Sequence, residues 1–435
     1  TEGVVRKLGG LTATAADPSN RRNMIKLYVT DWAAGGEWQQ GSQYNETSLR
    51  YLVQGANAIK TITGIDYFPE ITDYLAGAAK MWFQALWPCS FTSTSQWNCK
   101  PYQWGDINSD SHSTRYYYWW STAAVLAGLN QGTPDGGRLQ DIITREIAAV
   151  GFPYLNMTPQ FLWNFNPYAA IVDYTTAPKT VFSPGMGVFH TRSGWTADAS
   201  KLSVRMPILH AINPNTTYPI TVFDTTYHLT YSANEFQWWV NGTWAITHPL
   251  GYLSPNIDSR GSNSVTIKGM NAWLYSIKEY ASLPKWEENE THGFSYITNT
   301  HGGSTARTNY PLWAVPATFA MENTRAFVLF SEDNVLITHD RINALDPSNI
   351  LHGLDREYPT SLVTWMTGRP HLKELYIYTN VAATEGSTYS EWVYSGANKV
   401  RVDHLLPSDF TRTIQNVATE WGPSYYNTGY IDKAE

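Results

Sequence analysis

The sequence predicts an α+β protein whose helices come first and whose antiparallel β part follows. Two observations carry that reading. Up to about residue 175, apolar side chains recur at helical spacing between clear breakers. From Pro178 onward the apolar runs become short, β-branched or aromatic, and are cut by Gly, Asn and Pro. A third observation is negative: helical patterns do not alternate with the strand-like ones, which argues against a parallel βαβ sheet. The expected division is a helical domain over 1–177 and a sheet domain over 178–435.

The elements follow in order. Residues 46–62 carry Leu49, Leu52, Val53, Ala56 and Ile59 at helical spacing, with Gly64 as the stop. A second helix is expected over 69–87, opening at Pro69 and ending before Pro88. A third covers 113–129, closed by Gly128, Asn130 and Gly132, and a fourth covers 137–150, ended by Gly151 and Pro153. Residues 20–33, preceded by Asp17-Pro18-Ser19-Asn20, suit another. At this spacing the helices should pair as antiparallel hairpins. Strands are expected at 201–206, 236–240, 264–267, 326–330, 335–338 and 375–378, and Asn241-Gly242 reads as a tight hairpin turn.

Composition narrows the function. Over 435 residues, 15% are charged and 14% aromatic, with 19 Trp, 28 Tyr and 15 Phe. Ordinary globular proteins have about 25% charged residues. A net charge of −7 excludes an overall basic nucleic-acid binder. Rings stack on sugar faces, so carbohydrate is the ligand class that this balance suggests, although most rings are expected to fill cores. No apolar run is long enough for a transmembrane helix. The chain starts at Thr1 without Met and shows no signal peptide, so a processed, secreted, extracellular protein is expected. Cys89 and Cys99 are the two cysteines; nine apart in loop-like sequence, they suit a local disulfide better than a metal site. Asn-x-Ser/Thr occurs at Asn45, Asn156, Asn215, Asn241 and Asn289, which permits glycosylation and no more.

Three stretches could carry chemistry. Gly41-Ser-Gln-Tyr44 puts Tyr44 at a loop-to-helix junction, with Arg50 one or two turns along. A tyrosine can act as base and acid where cations lower its pKa, yet any one of 28 tyrosines more often packs its ring. His228 opens a strand-like run to Phe236; as one of 11 histidines, it is by itself more often structural. Trp104-Gly-Asp106, with Asp110 and His112 beyond it, could line a cleft or cap the following helix. The Asp106/Asp110 pair keeps a glycoside hydrolase in view, since those enzymes use two carboxyl groups. There is no P-loop, dinucleotide fingerprint, H-E-x-x-H or G-x-S-x-G elbow.

Taken in order, these residues resemble the heparinase II/III-like polysaccharide lyases, including the related alginate lyases. Gly41 to Tyr44 followed by Thr63-Gly-Ile-Asp-Tyr-Phe68 looks like the segment that bears the family's catalytic Tyr. Trp104-Gly-Asp106 looks like its W-G-D loop, and Val188-Phe-His-Thr-Arg-Ser-Gly-Trp195 like the strand that opens its β domain. His228 to Tyr252, Ser262 to Ile267 and Ala326 to Arg341 resemble later blocks, so the likeness runs over about residues 40–345.

The resemblance implies a helical α/α toroid, here partial, followed by a large antiparallel β-sandwich. It implies β-elimination on a uronic-acid polysaccharide. Tyr44 and His228 would be catalytic, and Arg50, Trp104, Asp106 and His112 would bind substrate. Thr230 and Ser232 stand where the family's H-x-H-x-D block has a second His and an Asp. The family's zinc site therefore looks lost, with His248 a poor remnant, and no cofactor is expected. The family's carboxylate-neutralising Asn/His lies about fifty residues before its Tyr, whereas 43 residues precede Tyr44. A further helical segment or a second chain is thus an expected partner, beside the acidic polysaccharide; nucleic acid and membrane are not. A non-catalytic glycan-binding protein is the remaining alternative.

Overall fold

The computed structural model describes residues 29–30, 33–38, 42–91, 113–150, 165–206, 235–246, 263, 265–267, 280–281, 285–290, 293–303, 321–344, 373–379, 383–386, 389–395, 398–403, 405, 412–416 and 430–434. The expected helix over 20–33 lies almost wholly outside them. None of the described helices is long and apolar enough to cross a membrane.

Among the described residues, four α-helices precede the strands: α1 (Ser42–Thr63), α2 (Phe68–Gln84), α3 (Ser113–Leu129) and α4 (Pro134–Val150). Helix α1 buries Asn45, Leu49, Val53 and Ala56, one stripe at helical spacing. It stops at Gly64, whose φ of +73° lets its N–H reach the Lys60 carbonyl at 2.9 Å. It starts four residues before the expected position, so Tyr44 falls in its first turn. In α2, Pro69 sits in the first turn, and the Asp66 carboxylate accepts from the Phe68 N–H at 3.0 Å. Helix α4 begins three residues before its expected start, because Thr133 Oγ1 accepts from Gly136 N–H and Pro134 tolerates the first position.

Helices α2, α3 and α4 share one apolar core, which includes Leu75, Trp82, Trp120, Leu126, Leu139 and Ile142. Two polar ties fix their register. Trp82 Nε1 donates to the Trp119 carbonyl at 3.1 Å, and Asn130 Nδ2 donates to the Leu75 carbonyl at 3.2 Å. Just before the first strand, the Tyr174 N–H donates to the carboxylate of Asp141 on α4 at 3.0 Å.

Every described strand pairing is antiparallel. Sheet 1 is a meander of β1 (Thr180–Ser183), β2 (Val188–Arg192), β3 (Lys201–Arg205), β4 (Glu235–Val240) and β5 (Thr243–Ile246). The β4–β5 hairpin turns on Asn241 and Gly242, with φ of +49° and +80°, the doubly positive geometry that strand twist favours. Sheet 2 has β7 (Tyr280–Ala281), β8 (Lys285–Asn289), β9 (Phe294–Gly303), β10 (Met321–Phe330) and β11 (Val335–Ala344). Sheet 3 joins β16 (Arg412–Asn416), β17 (Tyr430–Ala434), β12 (Lys373–Thr379) and β6 (Val265–Ile267). Sheet 4 is β13 (Thr384–Glu385), β14 (Tyr389–Ser395) and β15 (Asn398–Asp403). Side chains of sheets 1, 2 and 4 meet in a second core built on Phe189, Leu202, Phe236, Trp238, Ile297, Phe327 and Trp392.

The helical and sheet parts are joined closely. A turn at 33–36 lies between α2 and β1, where a Cβ on Gly36 would meet Ala78 N at 2.0 Å and one on Gly35 would meet Pro184 at 2.6 Å. Ser183 Oγ and Gly185 N–H both donate to the Ala34 carbonyl. Met81, Val181 and Val188 form a small apolar cluster across the same seam.

Candidate active site

Sheet 1 is buried on both faces. Phe189, Leu202, Val204, Phe236 and Trp238 point into the inter-sheet core. Strand alternation sends their neighbours to the other side, toward α2. Strand register there places three rows side by side. They are Val188–Arg205–Glu235, His190–Ser203–Gln237 and Arg192–Lys201–Trp239. All of these are buried except Arg205, which is partly so. The result is a polar layer at the helix–sheet joint.

The cations of this layer close the end of α2. Lys201 Nζ donates to the carbonyls of Gln84, Ala85 and Leu86 at 2.9, 2.8 and 3.0 Å. Arg192 Nη2 donates to those of Gln84 and Leu86 at 2.7 and 2.9 Å, and its guanidinium lies 3.9 Å from the ring centroid of Trp195. Orphan carbonyls and the negative end of the helix dipole are thus met by charge instead of water. Lys201 and Arg192 are 2% and 3% exposed. Burial holds the Lys201 ammonium well below its ordinary pKa, Arg192 adds repulsion, and Glu37 opposes both. Burial also brings Arg192 down to about 9. His190, fully buried with Nδ1 2.9 Å from Ser203 Oγ, is held well below its usual value by burial and then by Lys201 and Arg192, so it is neutral near pH 7.

Of the residues singled out in sequence, Tyr44 and Arg50 lie on α1. Six positions at 100° each put them about 120° apart around the helix, so they do not share a face. Asn45, next to Tyr44, is buried, and its Oδ1 accepts from the Tyr74 hydroxyl of α2 at 3.4 Å. The sequon at Asn45 is therefore closed to a glycan in the folded protein, while Asn241 is exposed at its hairpin turn. The Arg50 guanidinium lies 5.2 Å from the Tyr51 ring centroid. His228, Trp104, Asp106, His112, Asp110, Thr230, Ser232 and His248 lie outside the described residues, as do Asn156, Asn215 and Cys99. Sequence reasoning missed His190, Arg192, Lys201 and Glu37. The resemblance gives 188–195 only as the strand that opens the β domain; the available signal for a polar layer is its unbroken run His190-Thr-Arg-Ser193.

Architecture now places the chain among known proteins by fold. It is similar to heparan sulfate lyase HepC from Pedobacter heparinus, at 10% identity over 94% of this chain and 52% of that one, with a TM-score of 0.53. A crystal structure of heparinase III matches at 11% identity over 95% and 54%, with a TM-score of 0.55. Another heparinase III gene product matches at 10% identity over 95% and 52%, with a TM-score of 0.53. The chain spans about half the length of these structures. No protein-family model and no curated protein matches it. At this identity the likeness is one of fold: helices followed by antiparallel sheets, in a distant heparinase-like arrangement.

Proposed function

We propose that the chain is a secreted polysaccharide lyase that cleaves a uronic-acid-containing polysaccharide by β-elimination. The observation that carries the reading is the heparinase-like fold over 94–95% of the chain. The helices belong to a partial α/α toroid, and the sheets to its β-sandwich partner.

In the reaction a base removes the C5 proton beside the carboxylate, a C4–C5 double bond forms, and the C4–O glycosidic bond breaks. The leaving oxygen takes a proton from an acid. Tyr44, in the first turn of α1, serves as base, acid or both. His228 shares proton transfer or stabilises the anion. Arg50, Trp104, Asp106 and His112 bind substrate, and a guanidinium suits a carboxylate by bidentate bonding. No cofactor is assigned, since Thr230 stands where the second His, which helps bind the family's structural zinc, would be. A local disulfide between Cys89 and Cys99 belongs to the same secreted reading.

The test is incubation with alginate, hyaluronan, heparan sulfate and glucuronan while following the absorbance of unsaturated uronate. A product on one of them, lost in Tyr44→Phe, is expected. Reducing ends without unsaturation would point to a hydrolase instead. Binding without any cleavage would leave a glycan-binding protein.

A further inference from the structure

We propose that β11 is the pairing edge of a symmetric dimer, in which two copies of this chain join sheet 2 to sheet 2 through antiparallel β11 strands with Ile337 on the two-fold axis. β11 ends sheet 2: it pairs with β10 on one side, and no described strand pairs with its other side. It is ten residues long and runs against β10 from Val335 to Ala344 without a bulge. A free edge of this kind offers a row of N–H and C=O groups to another chain, and folded proteins blunt such edges with Lys, Pro, bulges or very short strands. β11 has none of these. Its inward carboxylate, Asp340, is matched by Arg325 of its own sheet, so it presents no unpaired charge to a partner strand.

The outer face of the strand is apolar up to the edge. Leu336 packs on the inter-sheet core, and Asp340 faces Arg325. Alternation therefore turns Val335, Ile337, His339 and Arg341 to the other side, and all four are exposed. Val335 and Ile337 are 45% and 47% exposed. In register, Val335 continues the row of Phe330 and Phe294, and Ile337 that of Val328 and Tyr296. A further strand beside β11 would extend both rows and cover the two aliphatic side chains that end them.

A second copy is the occupant that the sequence of this edge fits. Antiparallel pairing about Ile337 sets Ile337 against itself and Val335 against His339. It also brings Asp333, in the turn before the strand, toward Arg341 of the other copy. Both are exposed, and within its own sheet Arg341 stands opposite Thr324. Symmetry makes this charge match twice, once on each side of the axis. With the axis one residue on, at Thr338, Asp333 would meet Asn343 and Arg341 would meet Val335, so the match is particular to Ile337.

The dimer does not depend on the lyase reading, and sedimentation of the full chain over a range of concentrations tests it. A monomer–dimer equilibrium is expected. Ile337→Lys should raise its dissociation constant by about tenfold or more, as loss of a central interface side chain does. Val393→Lys, on sheet 4 at the same 47% exposure, should leave it unchanged. Asp333→Arg and Arg341→Asp should each weaken the dimer, and the two together should restore it. Circular dichroism of each variant checks that the fold is kept. A wild-type chain that stays monomeric at every concentration overturns the proposal, as does a dimer that Ile337→Lys leaves intact. A double charge reversal no tighter than the single ones overturns the Ile337-centred pairing, and with it the argument for a second copy.

Discussion

The Lys201 ammonium nitrogen lies 2.9 Å from the carbonyl oxygen of Gln84, the last residue of α2, although 117 residues separate them. This one side chain from sheet 1 ends a helix of the other part, and with Arg192 it supplies five hydrogen bonds to three carbonyls. Lys201→Met fills similar volume but removes the donor. Arg192 still serves Gln84 and Leu86, so the loss falls mainly on Ala85. A cost of about 1–3 kcal/mol is expected in urea unfolding. Faster hydrogen exchange in the last turn of α2 should accompany it. A lower midpoint with α2 exchange unchanged would show that the effect lies elsewhere.

The same contact explains where sequence reading stopped. Helix α3 ends at Leu129, as its local Gly128, Asn130 and Gly132 indicate. The end of α2 was expected at residue 87, because Pro88 is the first local breaker. It falls at Gln84 because its terminator is Lys201 with Arg192, and no local pattern holds that information. The polar layer was hidden for a related reason. Alternation in β2 and β3 normally means one wet face, whereas here α2 covers that face and leaves His190, Ser203 and Lys201 dry. The helix after Tyr44 was legible from its apolar stripe, but its start was not: Tyr44, expected at the junction before the helix, falls in its first turn.

Gly36 and Gly64 separate backbone conformation from close approach. Both have positive φ, +98° and +73°. A Cβ at Gly64 meets nothing within 4 Å, so Gly64→Ala should cost only the left-handed penalty, about 1–2 kcal/mol. A Cβ at Gly36 meets the backbone of Gly77 and Ala78 at 2.0–2.4 Å. Gly36→Ala must push the turn off α2, and a loss above about 4 kcal/mol is expected. Thermal unfolding of the two variants side by side measures the difference; equal losses would mean that the seam opens without cost.

His190 makes the fold sensitive to acid. Burial, Lys201 and Arg192 hold its folded pKa well below the value in the unfolded chain, about 6.5. Below that value the unfolded chain takes up a proton that the native protein refuses. Stability therefore falls as pH drops through 6.5, by about 1.4 kcal/mol per pH unit, until the folded pKa is reached. Urea midpoints between pH 7.5 and 5 should show this slope in the wild type. His190→Gln, which can keep a bond to Ser203, should lose that component of it.

The second joint of the sheet part is the Arg325–Asp340 pair between β10 and β11, 3.0 Å apart and opposite one another in register. Arg325 is fully buried, donates to the Asn263 carbonyl at 2.6 Å, and lies 5.3 Å from the ring centroids of both Phe236 and Phe327. Burial pushes Asp340 above its usual carboxylate range, and Arg325 pulls it back. Removing one partner leaves the other's charge in a low-dielectric site. Arg325→Leu should therefore cost about 3–5 kcal/mol. Asp340→Leu alone should also be costly, because Arg325 then keeps its charge with a carbonyl and two rings. Arg325→Leu with Asp340→Leu should destabilise by clearly less than the two losses added. A double-mutant cycle in urea measures that coupling. Strict additivity would mean that the two charges do not depend on each other, and that Asn263 and the rings alone hold Arg325 in place.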